Sequence, residues 1–245
     1  MNKDFTKEKV FLSIIIPIFN EEKRLFNLYK IFDFLEKSQF SCELIIINDG
    51  SEDNTLSELK KLQKKHRFTV INYNNNRGKG YAIKNGMLKA SGKYRLFIDI
   101  DLSIPIEEFK KFETFLQEFD VIIASRRLPQ SNLILKQSII RESLGKTFTF
   151  LSRIILGMSI SDFTCGFKVF SEKASKKIFP KLTIERWGFD SEVLFIAQKK
   201  GFRIKEVGVV WKNNPLTKVK FPQDIINSLK ELFLIRLNDF LGRYH

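Results

Sequence analysis

Four short apolar runs, each closed by a polar cluster and followed by a helical stretch, constrain the fold of this chain more than any other feature. The runs are 11–16 (FLSIII), 44–47 (LIII), 68–73 and 94–98. The first ends at Pro17, and the segment 20–36 then places Leu25, Leu28, Ile31, Phe32 and Leu35 at the spacing of one helix face. Helical spacing returns over 53–65, with Asp53 or Asn54 as N-cap, and over 79–90. Short runs of this kind suit strands buried on both faces, and strands alternating with helices give an α/β fold: a mainly parallel central sheet flanked by helices. Such sheets bind ligands at the carboxyl ends of their strands. There the chain carries Asn20 and Glu21, then Asp49, then Arg77 to Gly80, then Asp99 to Asp101. Four polar clusters are therefore expected along one edge.

Beyond that edge, a further strand over 121–125 leads into Arg126 and Arg127, and 133–158 reads as mixed helix. After 162–170 the pattern is helix (172–178), helix (190–199) and strand (204–210). With 245 residues, 43% of them hydrophobic, and no internal repeat or low-complexity linker, the chain fits a single domain. Its 25 Phe are read as core packing.

The balance of 42 Lys and Arg against 28 Asp and Glu leaves a net charge of +14, which attracts polyanions without naming one. Part of the excess, Lys60 to Lys65, is the solvated face of a helix. No RNA-binding or zinc-finger pattern accompanies the charge, so a nucleic-acid partner is not expected. Two cysteines without metal-ligand spacing suggest a reduced, cytoplasmic protein. Residues 1–9 are polar and the next apolar run is short, so neither signal peptide nor membrane span is expected.

Asp99 and Asp101 follow an apolar strand and project near the sheet edge on the same side of the chain. A nucleotide diphosphate needs a hard cation, and Mg²⁺ or Mn²⁺ takes one or two carboxylates plus phosphate oxygens. Asp49, in Asn48-Asp49-Gly50-Ser51, suits either a turn aspartate or an acceptor for a nucleobase or ribose. Arg77-Gly78-Lys79-Gly80 before a helix offers close backbone approach, two cations and free N–H groups, which favours phosphate or sugar, although the Walker A spacing is absent. Arg126 and Arg127 fit a second phosphate, or a surface salt bridge.

Taken in order, the segments 14–22 (IIIPIFNEE), 47–55 (INDGSEDNT), 76–83 (NRGKGYAI), 99–103 (DIDLS), 124–126 (ASR), 162–168 (DFTCGFK) and 187–192 (WGFDSE) resemble family 2 glycosyltransferases of GT-A fold. The resemblance spans about residues 11–211. It is to the dolichyl-phosphate β-glucosyltransferase and dolichol-phosphate mannose synthase group, with 165–168 and 187–190 nearer the glucosyl branch; Ser103 stands where the mannose enzymes often have Gln. It implies an inverting transfer of a hexose, glucose from UDP-glucose, onto a polyprenyl or dolichyl phosphate. Alternatives are a GDP-mannose-dependent polyprenyl-phosphate mannosyltransferase and a family 2 enzyme acting on a saccharide hydroxyl. It further implies a nucleotide-sugar half at 11–125, an acceptor half at 126–220 and a C-terminal amphipathic helix at 221–245.

Position by position, the resemblance implies that Pro17, Asn20, Glu21 and Asp49 hold the nucleoside and that Gly78 and Lys79 line the nucleotide-sugar pocket. Asp99 and Asp101 would bind the metal and diphosphate, and Arg126 and Arg141 the acceptor phosphate. Asp190 and Glu192 would lie near sugar and acceptor, and the catalytic roles would fall to Asp101, Asp190 and Arg126. A hydroxyl acceptor needs a base, whereas a phosphate monoester, with a second pKa of about 6, is already ionised and needs cations to place it. Arg126, Arg127, Arg141, Lys146 and Lys168 suit that need. The stretches 133–158 and 221–241 could lie on the cytoplasmic face of a membrane, pack on the core or form a dimer; in the second, Ile225, Leu229, Leu232, Phe233, Leu237 and Phe240 fall near one face.

Overall fold

The computed structural model describes residues 9–135, 139–214 and 223–245, without the side chains of 139–141 and 223–225. In chain order its elements are β1 (Leu12–Ile18), α1 (Leu28–Lys37), β2 (Cys42–Asp49), α2 (Thr55–Gln63), β3 (Thr69–Tyr73), α3 (Lys79–Lys89), β4 (Tyr94–Ile98), α4 (Phe109–Glu113) and β5 (Val121–Ser125). There follow β6 (Asn132–Leu135), α5 (Ile139–Leu156), β7 (Phe167–Ser171), α6 (Glu172–Ile178), α7 (Phe189–Lys199), β8 (Ile204–Gly208), β9 (Val210–Lys212) and α8 (Gln223–Phe240).

Seven strands form one sheet in the order β3-β2-β1-β4-β7-β5-β8, and β6 pairs with β9 in a separate ribbon. All neighbours in the large sheet run parallel except β7, which lies antiparallel between β4 and β5. The apolar runs become strands because both faces are covered. Ile15, Ile45, Ile47 and Phe97 pack into one core, while Ile14, Ile16, Leu44, Ile46, Leu96 and Ile98 pack into the other. Side chains alternate across a strand, so each residue commits to one side, and full burial contributes roughly 1.5–3 kcal/mol per large aliphatic side chain.

Four expectations are corrected. The stretch 162–170, to which the sequence pattern assigns no strand, contains the central strand β7, with Phe97 opposite Lys168 and Ile98 opposite Phe167. The helix expected over 133–158 begins instead with the exposed strand β6, because Asn132 and Leu133 pair with Val210 and Trp211. The strand expected over 204–210 divides at Val209, β8 completing the large sheet and β9 serving β6. The helix expected from residue 20 opens as a 3₁₀ turn, Glu22–Asn27, before α1.

Candidate active site

The carboxyl ends of β1, β2 and β4 open on one cleft of about 1390 Å³. At the end of β1, Asn20 adopts a left-handed φ of 50°, a conformation asparagine tolerates better than most side chains. Its Oδ1 accepts the Glu52 N–H at 2.8 Å and its own N–H donates to Ser51 Oγ at 2.8 Å, so the loops after β1 and β2 are stitched together. The Glu21 N–H donates to Thr55 Oγ1 at 2.8 Å, and its carboxylate pairs with Arg24 at 3.1 Å. Pro17, near the end of β1, lines the same wall.

Asp49 serves the local structure and faces the cleft as well. One carboxylate oxygen accepts the Arg77 N–H at 2.9 Å; the other accepts the Gly78 N–H at 2.7 Å and Asn76 Nδ2 at 2.8 Å. Burial pushes this carboxyl above its usual range, against the pull of those two backbone donors. The turn it holds starts α3 and needs glycine: Gly78 has φ 113°, and a Cβ there would lie 2.5 Å from the Glu185 carbonyl oxygen. Close approach brings Lys79, first residue of α3, to the end of β4, where Nζ meets Asp99 Oδ1 at 2.6 Å. Burial opposes the ammonium charge, and Asp99 with Asp190 outweighs it, so Lys79 titrates above its ordinary range.

Asp99 is seated by the residue before β7: its N–H donates to the Gly166 carbonyl at 3.2 Å, and a Cβ at Gly166 would overlap the Asp99 carboxylate. Asp101 Oδ1 accepts the Ser103 N–H at 2.9 Å. Burial raises the Asp101 carboxyl above its usual range and the neighbouring Asp99 raises it further. Two hard oxygen donors that repel each other at the mouth of a cleft, one in a cradle only glycine leaves open, fit a divalent cation. No cluster of three or more His, Cys, Asp or Glu suited to a metal occurs among the described residues, so further ligands would come from substrate oxygens and water.

The far wall is cationic. Arg126, just beyond β5, grips Asp162 through Nε at 2.7 Å and Nη2 at 2.8 Å, while Nη2 also reaches Thr164 Oγ1 at 3.0 Å. Asp162 is 0% exposed. Burial would raise its carboxyl, but Arg126 prevails and holds it below the usual range. The guanidinium carbon lies 5.6 Å from the centre of the Trp211 ring. Arg127 lines the cleft beside Gly145 of α5. The backbone of Arg141 belongs to α5, but its side chain lies outside the described residues.

Two expected positions differ in the structure. Lys168 was expected at the acceptor phosphate; it is 0% exposed, because it sits mid-strand in β7, and its Nζ donates to the Cys165 carbonyl at 2.7 Å and to Asp190. Asp190, on the first turn of α7, does line the cleft, and burial raises its carboxyl against the pull of Lys168 and Lys79. Glu192 was expected near the sugar; it is fully buried and turned away, accepting the Thr183 and Ile184 N–H groups and the Tyr244 hydroxyl. Glu231 of α8 likewise accepts the Gly188 N–H at 2.7 Å, so α8 braces the loop that rests on Gly78. Sequence reading assigned no role to Arg24, Arg186, Trp187 or Trp211, all of which line the cleft. Two of them left a signal: Arg24 by its spacing of three from Glu21, and Trp187 by its place in the segment 187–192.

Residues 13–179 match the family model Glycosyl transferase family 2. The chain is 34% identical to a dolichyl-phosphate beta-glucosyltransferase of Dictyostelium discoideum, over 96% of this chain and 76% of that one. It is 36% identical to one of Saccharomyces cerevisiae, over 100% and 79%. Among solved structures it is similar to glucosyl-3-phosphoglycerate synthase of Mycobacterium tuberculosis in complex with Mn²⁺, uridine-diphosphate and glucosyl-3-phosphoglycerate, with TM-score 0.64, 18% identity and coverage of 96% and 80%. It is also similar to S. aureus TarS with UDP-GlcNAc, with TM-score 0.60, 21% identity and coverage of 94% and 67%.

Proposed function

The chain belongs to glycosyl transferase family 2, with a GT-A fold, and from that premise we propose that it transfers glucose from UDP-glucose to a polyprenyl or dolichyl phosphate with inversion. One observation carries the reading: a single cleft holds the Asp99/Asp101 pair, Asp49 and Lys79 on one wall and Arg126 and Arg127 on the other. At about 1390 Å³ it exceeds the roughly 300–1,000 Å³ of an ordinary small-molecule pocket, which suits two phosphorylated substrates side by side. The curated relatives named above are glucosyltransferases acting on dolichyl phosphate, and the mycobacterial structure carries Mn²⁺ with uridine-diphosphate.

In this reading Pro17, Asn20, Glu21 and Asp49 border the nucleoside, and Gly78 lets the backbone come close to the diphosphate. Asp99 and Asp101 would hold Mg²⁺ or Mn²⁺, which supplies charge neutralisation for the departing nucleoside diphosphate. Arg126 and Arg127 orient the acceptor phosphate, whose oxygen attacks the anomeric carbon opposite the leaving group. The new bond is carbon to phosphate oxygen, the bond to the diphosphate breaks, and its electron pair leaves with the diphosphate. No proton need be removed, because a phosphate monoester is largely ionised near neutral pH. The engagement of Asp190 by Lys168 accords with a positioning role for Asp190 rather than that of a base.

The acceptor lipid would be met at a bilayer surface. Among the described residues no helix is long and apolar enough to cross a membrane. Helix α8, however, is apolar on two sides: Leu232 and Ile235 enter the core, whereas Ile226, Phe233, Leu237, Phe240 and Leu241 are exposed. This corrects the single face expected from sequence, since Leu232 is buried whereas Phe233 and Leu237 are exposed; the Ile225 side chain lies outside the described residues. Phe150 and Ile154 are exposed on α5, which packs against α8. With Lys230 and Arg236 beside it, that outer face suits an anionic lipid surface.

The test is incubation of the protein with UDP-glucose, Mn²⁺ and polyprenyl phosphate. An organic-extractable glucolipid is expected, reduced at least about 10³-fold by Asp101→Asn with melting unchanged. Absence of such product from the wild-type protein sinks the proposal.

A further inference from the structure

Lys79 stands in an unusual relation to the two carboxylates. Its ammonium occupies Asp99 Oδ1 at 2.6 Å, and Asp101 and Asp190 are close enough to act on it. The contact is shielded but open to the cleft, with 18% of the Lys79 side chain and 37% of the Asp99 side chain exposed. The ring centres of Trp187 and Phe189 lie 6.0 Å and 5.9 Å from Nζ, so aromatic faces cover part of the ammonium. Three other cations of the cleft are committed elsewhere: Arg24 to Glu21, Arg126 to Asp162 and Lys146 to Glu142. The start of α3 is packed closely at Gly78 and at Gly80, whose α-carbon lies against Ile184 and Phe189, which holds the root of Lys79 in place. Its stem does, because lysine presents a compact charge on a flexible chain.

Resting on the metal–diphosphate reading of Asp99 and Asp101, we propose that Lys79 is the built-in counter-ion of that pair, competing with a divalent cation for Asp99 and moving to the donor diphosphate when metal and nucleotide enter together. A divalent cation arriving alone must displace an ammonium from one of two carboxylates and gains only water besides. Arriving with a diphosphate, it would gain phosphate oxygens, and the displaced ammonium would gain an anionic partner. Metal and nucleotide are thereby coupled, each raising the affinity for the other by the same factor. Lys79 thus acts as a positioning residue that keeps the carboxylate pair neutralised and imposes joint entry.

The experiment is calorimetric titration of the full chain with Mn²⁺ alone, and with UDP at saturating Mn²⁺, for wild type and Lys79→Met, with thermal melting as the check on folding. The proposal predicts changes of opposite sign: Mn²⁺ alone binds at least about tenfold tighter to the variant, while UDP with Mn²⁺ binds about tenfold weaker. Lys79→Arg retains the charge and keeps Mn²⁺ alone weak; Lys79→Gln replaces Met if the latter does not fold. Unchanged or weaker binding of Mn²⁺ alone overturns the proposal, as does unchanged UDP affinity. Failure of the wild type to bind Mn²⁺ even with UDP present would instead overturn the metal reading itself, so the two failures are told apart.

Discussion

The two walls of the cleft hold their charges in different ways. On the donor wall, Asp49 is held by backbone N–H groups and Asp99 meets Lys79 in a contact still open to the cleft. On the acceptor wall, Arg126 is clamped to Asp162, which has no exposed surface, and Asp190 is met by Lys168, which has none either. An exposed pair can exchange partners with a ligand, whereas a buried pair is rigid and its loss leaves an uncompensated charge inside the protein. Substitutions on the donor wall should therefore cost activity, and those on the acceptor wall should cost stability as well.

Within the cleft, Arg126→Ala gives the largest expected stability effect. It leaves Asp162 buried and unpaired, a change that costs about 3–5 kcal/mol, to be read as a lower urea midpoint. Arg126→Met with Asp162→Asn should recover most of the loss without restoring activity. The pair also sets a pH dependence. The Asp162 carboxyl is depressed in the folded protein by Arg126, so its contribution is fully present above the unfolded value of about 3.9 and lost as pH falls through the lower folded value. The wild type should thus lose more stability than the double variant between neutral and acid pH. Equal stability of Arg126→Ala and wild type would erase the contrast between the walls.

Gly166→Ala probes the donor wall from behind. The added methyl meets the Asp99 carboxylate; Cys165 and Phe167 on either side belong to a core, but Gly166 itself lines the cleft. The carboxylate must shift, and displacing a metal ligand or its support typically costs about 10–100-fold in affinity or activity. The expected result is that loss, with a raised Mn²⁺ requirement and a melting temperature close to wild type. A large fall in stability with full Mn²⁺ affinity would place Gly166 with the rigid wall.

The donor wall was the more legible in sequence, for a physical reason. Parallel strands covered on both faces read as apolar runs, and whatever follows such a run stands at the ligand-binding edge. Asn20, Asp49, Lys79 and Asp99 could therefore be placed at the edge before any coordinates. The acceptor wall depends on partners distant in sequence: Arg126 and Asp162 are 36 residues apart, Lys168 and Asp190 are 22 apart. Local pattern also misled at β7, where a lysine in the middle of a short run reads as a cation for the acceptor phosphate, although Asp190 neutralises it inside the sheet. At β6 the run Leu133-Ile134-Leu135 suits helix or strand equally, and only β9 decides it. Sequence locates charges at an edge; burial of the partner decides whether they are free to act.

Helix α8 carries the same contrast on a single element. Its inner side holds Leu232 and Ile235 in the core, and its outer side leaves Phe233 64% and Phe240 87% exposed. Phe240→Asp should change stability by no more than about 0.5 kcal/mol, as surface substitutions do. Leu232→Asp, which buries an unpaired carboxylate in the core, should prevent folding at ordinary temperature. If the outer side meets lipid, Phe240→Asp combined with Phe233→Asp should weaken co-sedimentation with anionic vesicles at least about tenfold, because apolar insertion and headgroup attraction are both reduced. Activity on a short, water-soluble prenyl phosphate should meanwhile be retained, since neither side chain lines the cleft. Unaltered vesicle binding by the double variant would remove α8 from the membrane contact, and loss of activity on the short acceptor would mean that its outer side supports the cleft.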